Sequence, residues 1–179
     1  MRLERLSTFN AHLFERAFKL YQSSFPIEER RDGFEQQRVL KKEDYHFDLI
    51  MIDDTFVGVM LYWETESFVF LEHFTTLPEL RGKGYGKSAL DLLKEKGKII
   101  LLEIEPPING ITQRRYNFYK RNGFAMNPYY HIQAKYHPGD ADLELKVLTY
   151  PRVMEKEEYR LFYEYMTREI GINPSESKD

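Results

Sequence analysis

The chain has 179 residues, 42% hydrophobic and 15% aromatic, enough to bury one core and far from the polar composition of disordered chains. A net charge of -3 lacks the basic excess of nucleic-acid binders. The absence of cysteine excludes disulfides, thiolate metal sites and a cysteine nucleophile, and it fits a reducing cytoplasm.

No window approaches the roughly 18 apolar residues of a membrane span, and the start MRLERLSTFN carries no apolar run. A soluble, unprocessed, cytoplasmic chain is expected, with neither membrane nor nucleic acid as partner. No linker composition divides it, so one domain over 1–171 is expected.

RLERLS reads as a first strand; then Leu13, Phe14, Ala17, Phe18 and Tyr21 recur at helical spacing until Pro26, predicting a helix. Between Glu28 and Asp44 the chain is dense in charge, and Phe34, Val39 and Leu40 anchor a short second helix. HFDLIMI, TFVGVMLYW and SFVFLEHFTT, separated by acidic turns, predict an antiparallel meander of three strands.

A glycine-rich segment follows, then KSALDLLKEKG, in which Ala89, Leu92 and Leu93 share one helical face and Gly97 ends the run. KIILLEIE reads as a buried strand closed by Pro106 and Pro107. ITQRRYNFYKRNG predicts a helix capped at Asn122 and Gly123, with FAMNPYYHIQAKY and DLELKVLTY as two closing strands. A last helix spans about 154–170, its stripe of Tyr159, Phe162, Tyr163 and Met166 explained by packing. Residues 172–179 are expected to be a disordered tail.

Gly82, Gly84 and Gly86 lie between an apolar strand and an amphipathic helix, with Arg81, Lys83 and Lys87 among them. Without Cβ atoms, successive N–H groups converge on one point, and a helix N-terminus adds a dipole that favours anions. A phosphate or diphosphate site competes here with a plain glycine-rich turn. A Walker A loop fails because it needs glycine at Arg81, and a GxGxxG fingerprint fails because it needs glycine at Lys87.

The spacing that fits is R/Q-x-x-G-x-G/A, carried by Arg81, Gly84 and Gly86, with F/L-Y-x-x-x-G-F later at Phe118, Tyr119, Gly123 and Phe124. In these two motifs, and in its order of elements over about residues 2–150, the chain resembles the GNAT superfamily of N-acetyltransferases. The resemblance implies an α/β (α+β) fold: a mixed, mostly antiparallel central sheet of about seven strands flanked by helices, plus the C-terminal helix.

It also implies transfer of an acetyl group from acetyl-CoA to a primary amine of a small molecule or peptide. The coenzyme diphosphate would lie on Arg81, Gly82, Lys83, Gly84, Tyr85, Gly86 and Lys87, and the pantetheine arm along Phe74, Thr75 and Thr76. A backbone N–H of that strand would face the oxyanion.

Tyr119 resembles the family's general acid, and Asn117 is a softer coenzyme contact, since family members often have asparagine where Thr112 stands. For the base, strand alternation places Glu72 on one face with Phe70 and Phe74, where aromatic surroundings would raise its pKa. A solvated or salt-bridged Glu72 is the alternative, with Glu103 and Glu105 in reserve.

FPIEERR at 25–31, with Glu28 in it, and Tyr129, Tyr130 and His131 occupy regions that line the acceptor site in the family, with a charged loop and a packed strand as the alternative. The five histidines show no paired spacing, so no metal is expected. A monomer or homodimer is expected, and a non-catalytic coenzyme-binding sensor is the alternative function.

Overall fold

The computed structural model describes residues 1–6 and 11–170; the tail expected at 172–179 lies outside the described residues. The chain divides into two compact units, Met1–Pro26 with Arg31–Leu102, and Ile27–Arg30 with Glu103–Asp179.

The first unit holds β1 (Arg2–Arg5), α1 (Ala11–Ser24), α2 (Gly33–Val39), β2 (Tyr45–Ile52), β3 (Thr55–Glu64), β4 (Phe68–Thr76), α3 (Tyr85–Lys94) and most of β5 (Ile99–Ile104). The strands β1 to β4 pair antiparallel in sequence order, and β4 pairs parallel with β5. The meander forms because β2, β3 and β4 are runs of aliphatic and aromatic residues broken by turn-forming acids. The first of these turns is tight enough to put Asp53 at φ 50.

Phe14 and Tyr21 of α1 meet Phe47 of β2, and Tyr21 stands edge-on to His73 of β4 at 4.9 Å. In α3 the buried residues are Ala89, Leu90 and Leu93. Leu90, one turn before Leu93, shares the buried face, while the expected Leu92 is half-buried at its border.

The second unit holds a 3-10 turn (Ile27–Glu29), α4 (Gly110–Arg121), β6 (Ala125–Met126), β7 (His131–Ile132), β8 (Glu144–Tyr150) and α5 (Lys156–Glu169). Both β6 and β7 pair antiparallel with β8. The single strand expected over FAMNPYYHIQAKY is thus two short ones. Pro128 has no N–H for a ladder, and the Asn127 side chain takes up the interruption: its Nδ2 donates to Thr149 Oγ1 at 2.8 Å while its Oδ1 accepts from Met154 N at 2.9 Å. Eight strands and five α-helices are therefore present among the described residues, the mixed and mostly antiparallel α+β architecture expected, with one strand more than counted.

On the face of β2 opposite Phe47, Asp48 is 4% exposed and accepts from Tyr62 Oη at 2.8 Å, with its other oxygen unbonded among the described residues. Burial pushes its carboxyl up to about 6, against the Tyr62 hydrogen bond. Burial also holds His46 down to about 4, with Arg5 and Lys96 adding to it.

Asp48's folded pKa lies above its unfolded value, so the folded chain binds the extra proton between 3.8 and about 6 and stability falls as pH rises through that window. For His46 the unfolded chain binds the extra proton between about 4 and 6.5, so stability there rises with pH. The two slopes oppose each other. Asp48→Asn removes the falling one. At pH 7 it should gain roughly 1–2 kcal/mol: a carboxyl shifted by about two units costs roughly 3 kcal/mol, less about 1 for a buried amide N–H left unpaired. Urea midpoints measured from pH 4 to 7 should show net stability rising with pH in the variant; parallel curves for variant and wild type would refute the assignment.

Candidate active site

The pairing of β4 with β5 ends at Leu71↔Leu102, while β4 runs on to Thr76. Phe74, Thr75 and Thr76 keep β3 on one side (Met60, Val59 and Gly58) and have no ladder partner on the other among the described residues. A Cβ on Gly58 would stand 2.3 Å from the Thr75 carbonyl oxygen, so only glycine lets β3 approach this closely. The predicted pantetheine segment is thus an open strand edge, the geometry that accepts one more extended chain.

After β4 a 3-10 turn (Pro78–Leu80) leads into the glycine segment. Gly82 and Gly84 adopt φ 77 and 83, left-handed values that side chains disfavour, and Gly84 is the N-cap of the ten-residue α3. The helix starts two residues before the expected Lys87, so Tyr85, Gly86 and Lys87 form its first turn, whose N–H groups have no intrahelical acceptor. Arg81 to Gly84 are exposed. Arg81 and Lys83 make no ion pair among the described residues, whereas Lys87 is tied to Asp91 at 2.5 Å. Two free cations, left-handed glycines and a helix start coincide on one exposed loop, a geometry and a charge that suit an anion.

The surroundings of Glu72 differ from the expectation. The β3–β4 register runs Leu61↔His73 and then Tyr62↔Leu71, so Glu72 is the extra residue of a β-bulge. Alternation holds from Phe70 to Glu72 and breaks there: His73 returns to the same face and Phe74 turns to the other.

The Glu72 side chain is 1% exposed and receives both Arg31 terminal nitrogens at 2.7 Å, with Trp63 Nε1 donating at 3.2 Å. Arg31 itself is held by Tyr21, whose hydroxyl accepts from the Arg31 amide at 2.8 Å. Its guanidinium also lies over Tyr45 and Trp63. Charge-assisted donors commit both Glu72 oxygens, which weighs against Glu72 as the base.

In the second unit, Tyr119 on α4 is 8% exposed and its ring meets Phe118 and Phe124 edge-on. The Tyr119 hydroxyl makes no hydrogen bond among the described residues, and burial pushes it up to about 12 against the nearby Arg115. Asn117 accepts from Gln113 Nε2 at 3.1 Å. Thr112 serves the start of α4: its Oγ1 accepts from the Asn109 amide at 3.1 Å while Asn109 Oδ1 accepts from Thr112 N at 3.0 Å, a reciprocal cap.

Glu105 lies just past β5 and pairs with Arg115. Glu103 meets His131 Nε2 at 2.5 Å, and His131 Nδ1 lies 2.9 Å from Tyr159 Oη on α5. The Tyr130 side chain is 71% exposed, while its carbonyl accepts from Tyr159 Oη at 3.0 Å. Glu28 is exposed and borders a cavity of about 150 Å³ with Gln133, Lys135 and Asp140.

Burial raises the neighbouring Glu29 above the usual carboxylate range; Arg115 opposes this, and Glu103 and Glu28 add to it. Tyr159 went unnoticed as a site residue in the sequence, where it is one ring of a packing stripe, whereas Glu29 and Arg31 fall within the charged FPIEERR stretch at 25–31, without the partners that single them out. Among the described residues no group of three or more His, Cys, Asp or Glu could hold a metal ion, and no helix is long and apolar enough to cross a membrane.

Residues 11–124 match the family model of the acetyltransferase (GNAT) family. The Bacillus subtilis protein YjbC, whose name assigns it to the acetyltransferases, is 32% identical over 102 residues. That match covers 56% of this chain and 52% of YjbC, so the chain spans about half the length of this curated relative. A GNAT-family protein from Bacteroides thetaiotaomicron superposes with a TM-score of 0.89 at 30% identity, covering 97% of this chain and 100% of its own. An aminoglycoside 6'-N-acetyltransferase solved with coenzyme A shares the fold at 13% identity, with a TM-score of 0.58 over 83% of this chain and 96% of its own.

Removing one member of a buried ion pair strands the other charge, at a cost of about 3–5 kcal/mol. Arg31→Met should lose stability of that order in urea unfolding, and adding Glu72→Leu should recover part of it. Two additive losses would mean that the pair is not coupled.

Proposed function

This chain belongs to the acetyltransferase (GNAT) family, and from that premise we propose that it moves the acetyl group of acetyl-CoA to a primary amine of a small molecule or peptide. The observation that carries this reading is the exposed loop of Gly82 and Gly84 at the start of α3, with Arg81 and Lys83 unpaired beside it among the described residues. Its N–H groups and cations suit a diphosphate, and the open edge of Phe74, Thr75 and Thr76 suits the extended pantetheine arm. Coenzyme A in the aminoglycoside acetyltransferase of the same fold supports it.

In that reaction the amine lone pair attacks the thioester carbonyl carbon, and a β4 backbone N–H stabilises the oxyanion. The C–S bond then breaks, and the amide nitrogen gives up the proton that the thiolate gains. The buried Tyr119 hydroxyl stays protonated at neutral pH. A phenol near 12 cannot hand its proton completely to a thiolate whose conjugate acid has a pKa of about 8.5, since the transfer is uphill by more than three units. Tyr119 therefore donates a hydrogen bond to the developing thiolate, and the net proton comes from the amine. With Glu72 committed to Arg31, that proton passes to Glu103 or to water. The Asn117 contact with the coenzyme remains part of the proposal.

Release of free thiol from acetyl-CoA over a panel of amines, peptides and aminoglycosides tests the reading. Coenzyme binding without thiol release on any acceptor would favour a sensor. Tyr119→Phe should keep coenzyme affinity and lower kcat by about 10²-fold; unchanged turnover removes Tyr119 from the chemistry. Gly84→Ala meets no steric obstacle, with nothing within 4 Å of the added Cβ, but forces a side chain into the left-handed region at about 1–2 kcal/mol. Calorimetry should show coenzyme affinity falling about 10-fold or more in that variant, and unchanged affinity would uncouple the turn from diphosphate binding.

A further inference from the structure

Counting protons in the second unit assigns the role of a residue that acetyl transfer has not so far used. Tyr159 Oη has one proton, and the Tyr130 carbonyl at 3.0 Å can only accept, so the proton lies there. The 2.9 Å contact between Tyr159 Oη and His131 Nδ1 then requires Nδ1 to donate. With Nδ1 protonated, a neutral imidazole would aim the Nε2 lone pair at Glu103 Oε1 from 2.5 Å, lone pair against lone pair. A proton must occupy that contact too.

The surroundings enclose this pair of side chains. The His131 side chain is 0% exposed and packed against Phe162 and Tyr163 of α5. The Glu103 side chain is 11% exposed, and its Oε2 has no hydrogen-bond partner among the described residues. Groups that face the pair electrostatically are Tyr159, with Tyr129 and Tyr163 beside it, and Glu29, which Arg115 and Glu28 also face.

We propose that His131 is a positioning residue that pins Glu103 through Nε2–H, with Tyr159 of α5 fixing its tautomer. Glu103 Oε2 is thereby presented, at one orientation, to the N–H groups of a cationic amine acceptor. This rests on the acetyl-transfer reading and deepens it: the acceptor is an amine recognised as its ammonium ion. The pinned oxygen anchors one N–H and directs the lone pair that remains after deprotonation.

Two measurements on the intact protein test the assignment. Nitrogen-15 NMR of the His131 ring at pH 7 should find both nitrogens protonated; a bare Nε2 overturns the proposal whatever the enzyme acetylates. In thiol-release kinetics with an accepted amine, His131→Leu should lower kcat/KM for the amine about 10- to 100-fold, the loss expected for one hydrogen bond to a charged group, with KM for acetyl-CoA unchanged. His131→Gln, whose amide N–H reaches the same place as Nε2, should restore most of it. Equal losses toward amine and coenzyme, or failure of the glutamine to rescue, would reduce His131 to packing and overturn the proposal. If the wild type releases thiol with no amine, the acetyl-transfer reading falls, and the NMR result alone decides whether His131 pins Glu103.

Discussion

Two parallel strands cannot be joined by a tight turn, and this constraint organises the first unit. Because β5 runs alongside β4 in the same direction, the chain leaving β4 must travel back through a helix before β5 begins. The start of that helix is fixed next to the end of β4, and with it a cluster of N–H groups that have no acceptor. Glycines in the left-handed region at 82 and 84 let the chain turn sharply enough to aim those groups outward. The loop geometry that suits an anion is a consequence of the crossover, sharpened by the choice of glycine.

The same strand explains why its last residues stand open. The ladder to β5 stops at Leu71, one residue before the bulge at Glu72. An extra residue increases local twist and ends regular pairing, and the Arg31–Glu72 pair holds this bulge in place from one face. A hydrophobic pair of similar volume would come close to it in stability, since desolvation offsets most of the attraction between buried charges. What the ions supply instead is a fixed geometry: a planar guanidinium gripping a carboxylate at two points leaves the bulge one conformation.

Much of this was legible in the sequence, and what was legible was local. The meander, the glycine loop and the helix around Tyr119 all follow from spacings within about a dozen residues. The bulge was not legible, because the extra residue is defined only by its register against β3, and so the alternation that put Glu72 with Phe74 failed one residue beyond Glu72. Arg31 and Glu72 are 41 residues apart, and His131 lies 28 from both Glu103 and Tyr159. No periodicity spans such distances, and a single histidine between tyrosines reads as packing until a fold closes the loop. Pro128 was a visible breaker, outweighed by the aromatic run on either side of it.

In the second unit, two ionisable groups proposed for the reaction are set by different physical means. Tyr119 is governed by burial, which disfavours the phenolate and leaves a neutral donor whose strength no neighbour supplies. Glu103 is held by a partner: His131 Nε2 meets one of its oxygens and leaves the other open. A donor meant to stay protonated is well served by an apolar shell. Under the proposed reading a carboxylate that meets an ammonium ion needs a fixed orientation instead, and a second side chain bonded to it supplies one. The solution requires the partner to be walled off from water, and the aromatic face of α5 supplies that wall. The helix read as simple packing is, under the proposed reading, what keeps that carboxylate in one orientation.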